Sequence, residues 1–337
     1  MIRHAIVGCG RVAPNHADGF GALTHGELAW ACDRDLATAR AFAAAHGVGA
    51  ATDSVERVLR DPSVTSVSVA VDHAGHHRLA ARALLAGKHV LVEKPLALSK
   101  EDGEQLVKLA EERGLVLSVV SQHRYDPLVV AVRRWVGQGL LGTLLYAQVS
   151  LEASRTADYY SDSYWRGTWA GEGGSALVNQ GYHCLDVTRS LLGPLEVRAA
   201  IAGRARLGEV IETEDTLSAL LLAGATPVTL NVTVGSATLW RTRLELVGSA
   251  GSVCLDLDHP STLHRATGAV ATVEHPAETM EPAPGIGYYG VSHRRQIANF
   301  AAAITSGEPL VADARSGVGM VELLQQIYRA TGRGPQA

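Results

Sequence analysis

Three polar residues, Asn179, His183 and Asp186, stand four and three positions apart in the segment GGSALVNQGYHCLD (173–186). On an α-helix that spacing puts all three on one face. A polar row in an otherwise apolar segment is either a solvated helix face or a set of reactive groups lining a pocket. His183 is the member suited to moving a proton, because an imidazole titrates near neutral pH. Cys184 beside it makes no Cys–His nucleophile, since neighbouring helical residues diverge by about 100°. The four cysteines (Cys9, Cys32, Cys184 and Cys254) show no CxxC or other metal spacing and read as small packed residues. No metal is expected.

A second constellation lies at the start of the chain. The apolar run HAIVG (4–8) leads into GCGRVA, so Gly8, Gly10 and Ala13 form G-x-G-x-x-A directly after a predicted strand. The first glycine permits a tight turn, the second lets backbone approach a pyrophosphate, and the small third residue lets helix and strand pack closely. The free N–H groups of the following helix would meet the phosphates. Gly8, Gly10, Arg11, Val12 and Ala13 are therefore candidate dinucleotide contacts. Asp33 ends the next predicted strand, where a carboxylate accepts the ribose hydroxyls. That acid would repel a 2′-phosphate and favours NAD, whereas Arg34 could serve adenine or the 2′-phosphate of NADP.

The elements needed to hold these groups are readable. ELAWACD (27–33), SVTSVSVAV (63–71), KHVLVEK (88–94) and LVLSVVS (115–121) join the first run as predicted strands. Helical segments alternate with them, closed by Gly47, Gly87 and Gly114, and Ser99 with Asp102 resembles a capping box. Such alternation means a Rossmann-type, doubly wound parallel sheet covered on both faces. Past residue 195, strand-like segments separated by turn residues recur, from EVRAAIAGRAR to SVCLDLD. A length of 337 residues predicts two domains, here 1–121 and 122–337.

Apolar residues make up 47% and charged ones 19%, as in an ordinary globular protein. A formal net charge of −4 gives no basis for binding nucleic acid or an anionic membrane. The opening MIRHAIVGCGRVAP lacks the apolar core of a secretory signal, and no apolar run would span a bilayer, so a cytoplasmic location is expected.

With VEKPLAL (92–98) the chain resembles the glucose–fructose oxidoreductase, inositol dehydrogenase and MocA-type (Gfo/Idh/MocA) oxidoreductases. The resemblance rests on GCGRVA, AGKHVLVEKPLAL, QHRY (122–125), GGSALVNQGYHCLD and HRRQIANFAAAITSGEPL, and covers nearly the whole chain. It implies an N-terminal Rossmann domain and a C-terminal α/β domain with a large, mostly antiparallel sheet. It also implies a homodimer or homotetramer formed through that sheet. The family's lysine of the EKP motif is catalytic, which corresponds to Lys94. At the carboxyl end of a parallel strand its ammonium can stabilise alkoxide-like charge on the reacting carbon's oxygen. Inositol dehydrogenase-like members carry an aspartate four residues before the histidine, and this chain has Asn179. An amide can orient a ring or a hydroxyl but cannot raise the His183 pKa as a carboxylate would. Asp186 could supply that charge or bind a substrate hydroxyl.

The resemblance extends the cofactor contacts to Glu93, Lys94, Gln122 and Arg124, with Tyr125 on the substrate side. In VDHAGHH (71–77) the chain has Asp72-His73 where relatives often have Pro-Asn, so His73 would take over a ribose contact, and His76 matches the motif's histidine. The segment YYSDSYWRGTWAGEGG (159–174) is rich in aromatics and suits a polyhydroxylated ring, with stacking on its apolar face. It looks most like the sugar-nucleotide 3-dehydrogenase and 3-ketoreductase branch. Arg155, Arg166, Arg241 and Arg243 could then meet a pyrophosphate or carboxylate. Trp165, Tyr288, Tyr289 and His293 are further pocket candidates. The expectation is an NAD(P)-dependent oxidoreductase acting on a secondary carbinol or ketone of a sugar or sugar nucleotide. Lys94, His183 and Asn179 would be its catalytic residues. A cyclitol or free-sugar dehydrogenase, a non-catalytic sugar- and NAD-binding regulator, and an enzyme that cleaves glycosides through transient oxidation are the alternatives.

Overall fold

The computed structural model describes residues 1–257, 263–266 and 290–334, and the chain divides into two compact units. Met1–Gln122 and Thr279–Val321 form the first; His123–Glu278 and Glu322–Ala337 form the second.

In the first unit, strands and helices alternate. They are β1 (Ile2–Val7), α1 (Ala13–Gly21), β2 (Gly26–Cys32), α2 (Leu36–His46), β3 (Ala50–Thr52), α3 (Val55–Arg60), β4 (Ser66–Val69), α4 (His76–Leu85), β5 (His89–Val92), α5 (Lys100–Glu112) and β6 (Leu117–Val119). All six strands pair in parallel, in the order β3-β2-β1-β4-β5-β6. The strand order reverses at β1, the point where ligands of open α/β sheets gather. Every residue of β4 is buried, as the continuous apolar run requires of a strand covered on both faces. The expected caps are present: Gly47 ends α2 at φ 65°, and the Ser99 hydroxyl accepts the Asp102 N–H at 3.1 Å. β3 and α3 are additions to the sequence reading, and both are too short to carry a periodic signal.

The second unit contains α6 (Pro127–Gly137), β7 (Leu144–Ser154), α7 (Ala157–Ser161), α8 (Tyr182–Leu192), β8 (Glu196–Gly203), β9 (Thr216–Ala223), β10 (Thr226–Thr233), β11 (Gly235–Gly248), β12 (Ser252–Asp256) and β13 (Leu263–Ala266). Its seven-stranded sheet runs β13-β12-β11-β7-β10-β9-β8, antiparallel except between β7 and β10. The central strand is β7, which the search past residue 195 did not include. It alternates buried Ala147, Val149, Leu151 and Ala153 with more exposed residues, so one face is core and the other faces outward. α8 packs against β7 and β11.

Two helices complete the chain, α9 (Gly290–Ser306) and α10 (Ala314–Thr331). α9 belongs to the first unit, where the expected second domain of 122–337 had not put it. Ile297, Phe300 and Ala301 join a core with Ile2, Ile6 and Phe20. The Arg294 guanidinium makes two hydrogen bonds to Asp18, and the Gln296 amide donates to the Val119 carbonyl at the end of β6 at 2.7 Å. No described helix is long and apolar enough to cross a membrane.

Inside the second unit, Glu214 is wholly buried just before β9. Its Oε1 accepts the Leu177 N–H at 2.9 Å and the Tyr328 hydroxyl at 2.8 Å. Burial pushes its carboxyl up to about 7, and the Glu172 charge adds to the rise. The folded state thus holds a proton that the unfolded chain releases near the ordinary 4.5. The stability this residue lends at acid pH is lost as pH rises from about 4.5 to about 7, by up to roughly 3 kcal/mol. Glu214→Gln, which mimics the protonated acid, should change the melting temperature little at pH 5 and raise it by several degrees at pH 8. An offset that is the same at both pH values would contradict this.

Candidate active site

In the first unit the glycine turn sits on the ends of β1 and β4. Gly8 has φ 95°, and a Cβ there would lie 2.2 Å from the Ala70 carbonyl oxygen, so no side chain fits. Gly10 is the opposite case: nothing lies within 4 Å of its would-be Cβ. Among the described residues no acceptor takes the N–H of Gly10, Arg11 or Val12. Ala13 is wholly buried beneath the turn. Asp33 accepts the Cys9 N–H at 2.9 Å and the Asp35 N–H at 3.0 Å, which fixes its carboxylate at the end of β2. Arg34 beside it is exposed. Open donors, a close-packed small residue and a pinned carboxylate fit a dinucleotide.

Lys94 follows β5 and is half-buried; its backbone N–H donates to the Glu93 carboxylate at 3.2 Å. Glu93, expected among the cofactor contacts, is 6% exposed and directs its other oxygen inward. That oxygen lies 3.0 Å from His16 Nε2 and 3.6 Å from His293 Nε2. Burial opposes the Glu93 charge, but the two imidazoles hold its carboxyl well below the usual range. His293, expected in a substrate pocket, is therefore a core partner of Glu93. The network continues from His16 Nδ1 to the Ser68 hydroxyl at 2.8 Å and on to His4 at 2.9 Å. The ligating atoms of His16, Glu93 and His293 lie within 4.8 Å of one another, a spacing a divalent metal would accept. Hydrogen bonds at both His16 nitrogens account for the cluster without one.

His76 also differs from expectation. Its Nδ1 lies 2.7 Å from the Pro95 carbonyl and its Nε2 3.2 Å from that of Val71, and it is wholly buried. Its ring lies between these two carbonyls and donates its N–H to backbone, which ties the EKP loop down. His73 is buried against it at 5.7 Å between ring centroids, and Gln122 is buried beyond β6.

In the second unit the polar row divides. Residues Ala176–Gly181 wind as a π-helix before α8 begins at Tyr182. A π turn inserts an extra residue, which breaks the even α-helical spacing assumed for Asn179, His183 and Asp186. Asn179 and His183 are half-buried, while Asp186 is 1% exposed. Asp186 accepts Arg124 Nε at 2.8 Å and a second bond from Nη2. Burial opposes the Arg124 charge and Asp186 more than restores it. Arg124 and Asp186, expected at the cofactor and the substrate, form this mutual buried ion pair, in which carboxylate and guanidinium satisfy one another. His123, which sequence reasoning passed over, pairs with Asp126 at 2.7 Å and sets its ring edge-on to His183 at 5.2 Å between centroids.

Asn179 Nδ2 donates to Glu172 Oε1 at 2.6 Å. Glu172, also passed over, is 1% exposed, and its Oε2 accepts the Gly167 N–H at 2.7 Å and the Ser175 hydroxyl. The same Nδ2 lies 3.5 Å from the Tyr159 hydroxyl. Around it, Gln180 donates to the Tyr159 hydroxyl at 3.1 Å. The guanidiniums of Arg155 and Arg166 stack over the Tyr159 ring at 4.6 and 4.4 Å. Arg166 also approaches Trp165, and Tyr125 is half-buried. Arg241 is paired across strands with Glu152 at 2.8 Å, and Arg243 is exposed on β11. Tyr288 and Tyr289 lie outside the described residues.

The Glu172–Asn179 contact predicts energetic coupling. A double-mutant cycle with Glu172→Gln and Asn179→Ala, read by chemical denaturation, should give a coupling of about 1–2 kcal/mol. A coupling near zero would contradict the contact.

Comparison with known proteins agrees with this arrangement. Residues 2–121 match the oxidoreductase family with an NAD-binding Rossmann fold, and residues 129–254 match the GFO/IDH/MocA C-terminal domain. An uncharacterized oxidoreductase of Synechocystis sp. is 32% identical over 67% of this chain, which spans 64% of that protein's length. The dTDP-3,4-didehydro-2,6-dideoxy-alpha-D-glucose 3-reductase of Streptomyces violaceoruber is 33% identical over 83% of this chain and 79% of its own. The WlbA dehydrogenase of Bordetella pertussis, crystallised with NADH and UDP-GlcNAcA, superposes with a TM-score of 0.86 at 28% identity, over 98% of this chain and 96% of its own. The glycine turn, the EKP lysine and the two-sheet architecture thus have their explanation: the chain belongs to the Gfo/Idh/MocA family and is an NAD-dependent oxidoreductase.

Proposed function

We propose that the enzyme moves hydride between NAD and a secondary carbinol or ketone of a sugar, with nucleotide-linked sugars as its substrate class. The observation that carries the reading is Lys94, half-buried at the carboxyl end of a parallel strand, with Glu93 and the His76–Pro95 contact fixing the backbone on either side. Bound NAD supplies the group that accepts or gives the hydride. The Lys94 ammonium hydrogen-bonds the oxygen of the reacting carbon and stabilises its developing negative charge. His183 exchanges the proton with that oxygen, and Asn179 orients a substrate hydroxyl through its carbonyl oxygen. The Asp33 carboxylate receives the adenosine ribose hydroxyls and disfavours a 2′-phosphate, which supports NAD over NADP. Tyr125 and Trp165 contact the sugar ring. Relatives that act on a dTDP-linked sugar or were crystallised with a UDP-linked one support the substrate class. Ile201, Leu220, Leu145 and Tyr146, exposed on strands of the seven-stranded sheet, support self-association through it.

Lys94→Ala and His183→Ala should each lower turnover by at least about 100-fold while NAD affinity changes by no more than about twofold. The measurement is steady-state NADH formation across nucleotide sugars, free sugars and cyclitols, with NAD affinity from fluorescence titration. Near-wild-type turnover in both variants would overturn the assignment. Absence of turnover with every carbinol, by the native protein, would favour a binding regulator.

A further inference from the structure

Arg155 and Arg166 stand out in the second unit because they share one aromatic ring, and neither has a carboxylate partner among the described residues. Their guanidinium carbons lie over one ring, Tyr159, at 4.6 and 4.4 Å. Arg155 also lies over Trp240 at 4.8 Å, and Arg166 over Trp165 at 5.2 Å. Among the described residues their guanidiniums hydrogen-bond neutral oxygens: Arg155 Nη2 donates to Gln180 Oε1 at 3.1 Å and Arg166 Nη1 to the Tyr159 carbonyl at 3.4 Å. The Nε atom of each is buried and has no acceptor. The carboxylate at hand, Glu172, is occupied by Gly167, Ser175 and Asn179. Glu152 is occupied by Arg241.

Two half-buried cations on one aromatic ring repel each other and have lost part of their hydration. Aromatic faces compensate some of this, and a planar guanidinium stacks on them well. The ring contacts hold both guanidiniums in one place, and their fork of donors is suited to an anion. The platform adjoins the polar row directly. Tyr159 Oη lies 3.5 Å from Asn179 Nδ2, and Gln180, which Arg155 holds, follows Asn179 in sequence.

We propose that Arg155 and Arg166, stacked on Tyr159, form an anion-binding subsite for the substrate, taking a carboxylate on the sugar or the phosphates that link it to a nucleotide. The subsite rests on the sugar-oxidoreductase reading and adds to it a requirement for charge. Neutral free sugars would leave two cations uncompensated, so they would bind more weakly than charged counterparts.

The test uses the full-length protein loaded with NADH and four probes in calorimetric titration: glucose, glucuronate, UDP-glucose and UDP-glucuronate. Together they vary the carboxylate and the diphosphate independently. At least one anionic probe should bind 10-fold or more tightly than glucose. Arg155→Gln and Arg166→Gln should each remove most of that preference, Arg→Lys less, with NADH affinity unchanged. The carboxylate arm and the diphosphate arm then identify which anion is held. Equal affinity for all four probes, no binding of any anionic probe, or a full preference retained by both Gln variants would overturn the subsite. Failure of the underlying reading is distinct: it would show as no NADH binding in the loading step and no sugar-dependent turnover.

Discussion

A carboxylate removed from water must be supplied with hydrogen-bond donors, and each unit holds one such carboxylate beside its own candidate residues. Glu93 in the first unit is met by His16, His293 and the Lys94 backbone N–H, so the end of β5 is fixed where the lysine emerges. Glu172 in the second is met by the Gly167 N–H, the Ser175 hydroxyl and the Asn179 amide, so the π-helical turn is fixed where the polar row begins. Neither acid is placed to react. Each converts the cost of its own burial into the position of a neighbouring side chain.

This bears on Asn179. An aspartate four residues before the histidine would put negative charge against the imidazole, whereas here an amide stands in front and a buried acid behind it. Glu172 dictates the amide's orientation, and the charge lies one hydrogen bond further back. The His183 ring packs edge-on to that of His123.

The parts of the molecule legible in the sequence are those written in local pattern. Continuous apolar runs and glycine stops gave the parallel sheet, Gly8 and Gly10 the turn, and Ser99 the cap of α5. Strand β3, three residues long, carries no pattern of its own. The hydrogen bonds of Glu93, His76, Asp186 and Arg124 are not legible in local pattern because each is made to a partner distant in sequence, such as His293 for Glu93 or Asp186 for Arg124. The even face drawn through Asn179, His183 and Asp186 assumed α-helical winding, and a π-helix over Ala176–Gly181 shifts that phase. Glu172 carried a weak signal in AGEGG, an acid set among glycines before an apolar run, where only burial reveals what it holds.

The central claim is direct hydride transfer between nicotinamide and a sugar carbon, and isotope transfer tests it most directly. NADH carrying deuterium on the transferred face of nicotinamide C4 would be incubated with the enzyme and keto-sugar or keto-sugar-nucleotide acceptors. The product would then be examined by mass spectrometry and NMR. The account predicts one deuterium, bound to the newly formed carbinol carbon. Product without deuterium, or deuterium released to water, would contradict it.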